Sequence, residues 1–251
     1  MRPMVPHATR GVVRRLVGAL RHHVLVDDVQ TLGRSMEDGF EIALRRRGDG
    51  AQAVDELIVN GAFAMDSAET LSERVLAESV GPDPGSVLVG GLGLGYTVLA
   101  LLEMGATNVD VVELSGALIT WARQGLTGPL AQLVADPRVQ LHHGDIADVL
   151  DAQAALPGLF GPWDAICLDV DNGPEFLIHA KNARVYAPDT LRSALDHLVP
   201  GGRLAIWSES PSKELWYDLL KLDGSATERL VPLKRGNREL DYAIYLVTKP
   251  R

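Results

Sequence analysis

The stretch SVLVGGLGLGYTVLALLEMGATNVDVVEL, residues 86–114, constrains the fold more than any other part of the chain. An apolar run of strand length meets four glycines, Gly90, Gly91, Gly93 and Gly95, and a helix-length segment follows at once. A chain that turns so tightly from strand to helix does so to let a ligand approach its backbone, or simply to make the turn. Glu113 separates these readings. It closes a second apolar run, VVEL, about 20 positions after the glycines, where a carboxylate accepts hydrogen bonds from ribose hydroxyls. Glycine turn and acidic residue together indicate an adenosine-containing ligand. A dinucleotide would satisfy them too, but GGLGLGYT has Tyr96 where the full G-x-G-x-x-G turn carries its third small residue.

From residue 86 onward, further apolar runs, VQLHHGD, WDAICLDV and GRLAIWSE, alternate with helix-length segments. That alternation predicts an α/β fold, a mostly parallel sheet with helices on both faces and right-handed crossovers. PDTLRSALDHLVPGG reads as one of those helices, with Leu191, Leu195 and Leu198 on its buried face and Pro-Gly-Gly ending it. The last two runs, ERLVPLK and DYAIYLVTK, are joined only by RGNREL, too short for a parallel crossover, so they form an antiparallel pair at one edge. The sheet then has seven strands. Ligands of such sheets sit beyond the carboxyl ends of the strands, so Glu113, Asp145 of HHGD and Asp169 of LDVDNGP are expected around one crevice.

Residues 1–80 follow a different pattern and are expected to form an appendage to a ligand-binding domain spanning 81–251. FEIALRRR and DELIVNGAFAMD look extended, and Asn60-Gly61 between apolar flanks signals a tight hairpin. SAETLSERVLAES then reads as a helix behind a serine-led start, and the breakers GPDPG mark the boundary. Arg10, Arg14, Arg15 and Arg21 read as the solvated side of an amphipathic helix, since the apolar stretches around them are short and interrupted by charge.

The balance of 33 acidic and 24 basic side chains, formally -9, disfavours nucleic acid and anionic membranes as partners and favours a small, cationic substrate. No apolar stretch is long enough to span a bilayer. Cys167 is the one cysteine, so no disulfide framework or cysteine metal site is available and a reducing cytoplasm is the expected compartment. His142 and His143 are adjacent on a strand and face opposite sides without a third ligand, and His22-His23 is no better placed, so no metal is expected.

In this order the motifs resemble the class I S-adenosylmethionine-dependent methyltransferase superfamily, and within it the spermidine synthase-like branch. The resemblance runs from about residue 55 to 210 through DELIVNGAFAMDSAETLSERVLA, VLVGGLGLG, VVEL, GDIADVL, LDVDNGPE and YAPDTLRSALDHLVPGGRLAIWS. It implies a Rossmann-like sheet with one antiparallel edge strand and a small amino-terminal helix and β-hairpin appendage, which covers the crevice or forms a homodimer interface. It further implies that Gly90, Gly91, Gly93 and Gly95 pass under the methionine part of S-adenosylmethionine or its decarboxylated form, that Glu113, followed by Leu114, holds the ribose, and that Asp145 and the Ile146 backbone meet the adenine. Asp169 falls where aminopropyltransferases deprotonate the attacking amine. The chain departs from those enzymes at GGLGLG, where they carry G-G-G-D-G, at Leu71-Ser72-Glu73, where they carry tyrosine, glutamine or histidine, and glutamate, and at the D-V-D-N-G-P run.

Alkyl transfer from a sulfonium is an in-line displacement that depends mainly on positioning, plus a base when the nucleophile is an amine. Asp169 is the candidate base, and Asp171 is expected either to raise its pKa by like-charge repulsion or to cap the following loop. Asn172 reads as a turn residue. Trp207, Tyr186, Phe176 and His179 are expected to line an acceptor pocket, with core packing the alternative for Trp207. The leading expectation is methyl transfer to a small metabolite, favouring an amine. The alternatives are aminopropyl transfer from decarboxylated S-adenosylmethionine and a non-catalytic, cofactor-binding relative.

Overall fold

The computed structural model describes residues 29–37, 39–152, 156–235 and 238–251; the amphipathic helix expected around Arg10, Arg14, Arg15 and Arg21, and His22-His23, fall outside them. The first sheet contains β1 (Val29–Glu37), β2 (Phe40–Arg47), β3 (Val54–Val59) and β4 (Ala62–Asp66), antiparallel and in chain order. FEIALRRR and DELIVNGAFAMD supply β2, β3 and β4. Strand β1 was not expected, because its polar VQTLGRSME carries no buried residue and hence no apolar alternation. Asn60 and Gly61 both have positive φ, 51° and 75°, the mirror-image turn whose twist suits a two-residue hairpin. The arginine run of β2 is paired across the sheet: Arg46 Nε lies 2.7 Å from Asp55 Oδ1, and Arg45 and Arg47 both bind Glu56.

Helix α1 (Leu71–Ser79) begins later than its serine-led start implied. Asp66 Oδ1 accepts from the Ala68 and Glu69 N–H groups and holds that stretch as a turn. Then come β5 (Ser86–Gly90), α2 (Tyr96–Glu103), β6 (Asn108–Glu113), α3 (Gly116–Gln124), α4 (Gly128–Ala135), β7 (Val139–His143), α5 (Ile146–Leu150) and β8 (Trp163–Leu168). The chain finishes with α6 (Pro188–Asp196), β9 (Leu198–Ser208), α7 (Lys213–Leu219), β10 (Ser225–Arg235) and β11 (Arg238–Thr248). Leu198, expected on the buried face of α6, instead opens β9 opposite Trp163, and Pro200-Gly201-Gly202 lies inside that strand, where its register with β8 shifts.

These strands form a seven-stranded sheet in the order β10-β11-β9-β8-β5-β6-β7. Strands β5 to β9 are parallel, and the antiparallel hairpin of β10 and β11 closes one edge, with β11 against β9. Both faces are buried, which is why the central strands read as continuous apolar runs. Val87 and Val89 of β5 face one core, with Leu76 and Leu101; Leu88 faces the other, with Ile166 and Leu168. Truncating a side chain as buried as Leu88 costs roughly 2–5 kcal/mol. No helix among the described residues is long and apolar enough to cross a membrane.

Candidate active site

From β5 the chain runs outward through β6 to β7, then returns to lay β8 on the other side of β5. The loops leaving β5 and β8 therefore diverge, and a crevice opens beyond their carboxyl ends. A cleft lies there, floored by these loops and walled by Phe40, Ile42, Leu57, Phe63 and Met65 of the first sheet. Gly91 and Gly93 face it with φ of 91° and 51°. A Cβ on Gly91 would collide with the Asp169 carbonyl, and one on Gly93 would lie 2.6 Å from Met65 Sδ. Gly90 and Gly95, expected to meet the ligand as well, are buried away from the cleft: Gly90 packs on Ile146 and Leu168, and Gly95 on Leu133 of α4.

Glu113, at the end of β6, is buried and lies beside the glycine loop. Its Oε2 accepts from Leu92 N at 2.8 Å and its Oε1 from Ser115 N at 2.7 Å. Burial pushes its pKa up, against those two hydrogen bonds. Each oxygen keeps capacity for one more donor. Leu114, Asp145 and Ile146 line the same end of the cleft. Asp145 caps α5 by accepting from Ala147 N at 2.8 Å, and its other oxygen lies 3.7 Å from Arg184, which is anchored on Asp148 and Asp151. Of the adjacent histidines, His142 turns inward onto Asp110 Oδ1 at 2.9 Å, and the exposed His143 contacts the Leu114 carbonyl.

Asp169 follows β8 and faces the cleft from the opposite side. Thr97 Oγ1, from the first turn of α2, donates to its Oδ2 at 2.6 Å. Burial pushes the Asp169 carboxyl up to about 6 although the Thr97 hydrogen bond lowers it. Across the cleft, α1 brings in Glu73, pushed up to about 7 by burial first and by repulsion from Asp169 second. Ser72 Oγ donates to Glu73 Oε2 at 2.7 Å. The sequence reading did not single out Glu73 as a site residue. Two signals were available: Glu73 stands where the aminopropyltransferase run carries its glutamate, and its helical spacing from Leu76 and Ala77, both fully buried, puts it on the inward face of α1.

Asp171 does not supply the expected repulsion. The strand ends at Leu168, and Asp171 has a φ of 60°, so the period-two alignment with Asp169 is broken. Its carboxylate instead accepts from the N–H groups of Asn172, Ile178 and His179 and from Asn182 Nδ2, at 2.5–3.0 Å. This is the loop-capping alternative, and it leaves Glu73 as the like-charged neighbour that couples to Asp169.

Trp207 and His179 line the cleft, edge-on to Tyr242 and Phe40 respectively, each at 5.2 Å between ring centres. Tyr186 is buried and donates to the Val170 carbonyl, while Phe176 is 57% exposed outside the cleft. Around the cleft stand the carboxyl groups of Asp66, Glu69, Glu73, Glu113, Asp145, Asp169, Asp171 and Glu209, with no lysine or arginine among the described lining residues. Such a wall attracts cations and repels a ligand carboxylate.

No protein-family model matches the chain, and no curated protein sequence matches it. Among solved structures, the chain is similar to spermidine synthase in complex with the transition-state analogue AdoDATO, with a TM-score of 0.70 and 18% identity over 88% of this chain and 74% of that one. It is similar also to spermidine synthase from Thermotoga maritima, with a TM-score of 0.69 and 18% identity over 88% of this chain and 73% of that one. The fold is therefore the Rossmann-like, class I methyltransferase-like fold that these two solved structures share.

Proposed function

We propose that the chain transfers an aminopropyl group from decarboxylated S-adenosylmethionine to a small amine. The observation that carries this reading is the cleft wall of carboxyl groups, with no lysine or arginine among the described lining residues. S-adenosylmethionine carries a carboxylate that such a wall repels. Its decarboxylated form carries only a sulfonium and an ammonium, and both are attracted. Cation binding also favours the ionised forms of Glu73 and Asp169, whose pKa values of about 7 and 6 put them near their protonation midpoints at neutral pH. Similarity to two spermidine synthases of the same fold supports this choice over methyl transfer.

In this reading Glu113 accepts hydrogen bonds from the ribose hydroxyls, Gly91 and Gly93 border the donor where the loop packs against Asp169 and Met65, and Asp145 and Ile146 border the adenine. The donor supplies a carbon made electrophilic by its positive sulfur. Asp169 orients the acceptor amine and takes its proton as the C–N bond forms, while the C–S electron pair returns to sulfur and a neutral thioether leaves. Glu73 makes the acceptor side more negative. The walls contributed by Phe40, Ile42, Leu57 and Phe63 keep water from the reacting centre.

Methyl transfer from S-adenosylmethionine is the second reading, favoured by the loop GGLGLG, which lacks the aspartate of G-G-G-D-G. Calorimetric titration with each donor distinguishes the two. Aminopropyl transfer predicts tighter binding of the decarboxylated form, and equal or tighter binding of S-adenosylmethionine contradicts it.

A further inference from the structure

We infer that Met65 determines which sulfonium donor the cleft accepts, by closing the glycine loop to a ligand carboxylate. The inference rests on the reading above and names the residue that enforces it. Met65 comes from β4 of the first sheet, yet its thioether sulfur reaches the glycine loop and accepts the Leu94 N–H at 3.2 Å. It also occupies the space over Gly93, where even a single Cβ would lie 2.6 Å from the sulfur.

Three of the neighbouring loop amides are already occupied. Gly91 N–H donates to the Val112 carbonyl, Leu92 N–H to Glu113 Oε2, and Gly95 N–H to the Leu92 carbonyl. A backbone amide at a glycine-rich turn is an effective partner for an anion, and of these four Leu94 N–H is the one held by a weak, uncharged acceptor from another sheet. A donor ending in an α-amino acid would have to displace Met65 before its carboxylate could reach that amide. A donor ending in a bare aminopropyl chain has no carboxylate to place and gains from leaving the thioether where it is, against its own methylene groups.

The test is calorimetric titration of the full chain, the M65L variant and the M65A variant with S-adenosylmethionine and with its decarboxylated form. Thermal melting serves as a check on folding. Leucine keeps the apolar volume and removes the sulfur acceptor; alanine removes both. Freeing the amide for a carboxylate is expected to narrow the preference for the decarboxylated form by about tenfold in M65A, the size of one charge-assisted hydrogen bond, and by less in M65L. The narrowing is expected to come from tighter S-adenosylmethionine binding. If the unaltered chain prefers the decarboxylated form and the ratio is unchanged in whichever variants fold, the Met65 inference is overturned alone. If the unaltered chain shows no such preference, the aminopropyl reading fails with it.

Discussion

Thr97 Oγ1 lies 2.6 Å from Asp169 Oδ2, so the helix that follows the glycine loop also holds the carboxylate at the end of the neighbouring strand. The hydroxyl has one proton to donate, and giving it to Oδ2 leaves Oδ1 to meet an amine. Thr97→Val removes a hydrogen bond that lowers the Asp169 pKa, so that pKa rises further. The acidic limb of kcat/KM, which reports ionised Asp169, is expected to move upward from near pH 6. A limb that stays in place contradicts this coupling.

Asp169→Asn keeps the shape of the side chain and cannot take a proton. The transfer rate is expected to fall by about 100-fold or more, as for loss of a general base, with donor affinity little changed. An equal loss of donor binding would show that Asp169 is a binding group instead.

Stability is expected to fall as pH rises through the neutral range. Glu73 has a folded pKa of about 7 against an ordinary 4.5, so the folded chain holds this proton more tightly than the unfolded one. The resulting stabilisation is complete below about pH 4 and is lost as pH rises through 7, with a size on the order of a few kcal/mol. Glu73→Gln removes this part of the dependence and leaves that of Asp169, so its Tm is expected to decline less between pH 5 and pH 8 than that of the unaltered chain. Parallel Tm curves would contradict the assignment.

Asp171→Ala removes the acceptor shared by Asn172, Ile178, His179 and Asn182. The loop is expected to loosen, with a stability loss of about 1–3 kcal/mol and faster proteolysis between residues 172 and 182. KM for the acceptor should rise more than kcat falls, because the loop carries His179 into the cleft. A collapse of kcat with an intact loop would return Asp171 to the chemistry.

The parallel sheet was legible because its strands are buried on both faces, so Val87, Leu88 and Val89 read as one apolar run bounded by glycine. The position of Glu113 beside the glycine loop was legible for the same reason: strand ends fix where a side chain can be. Contacts between elements distant in sequence were not. Met65 and Leu94 are 29 positions apart and Thr97 and Asp169 are 72 apart, and neither pair leaves a local pattern. The repulsion reading of Asp171 carried strand alternation past Leu168, where the strand ends, to a residue that itself has a positive φ; the loop-capping alternative is the one left.

Product analysis tests the central claim most directly. The chain is incubated with small amines and either decarboxylated S-adenosylmethionine or S-adenosylmethionine, and the nucleoside released is identified. An acidic cleft that selects the decarboxylated donor predicts methylthioadenosine together with an aminopropylated amine, lost in Asp169→Asn. Release of S-adenosylhomocysteine from S-adenosylmethionine, with none of the aminopropylated product, would contradict it.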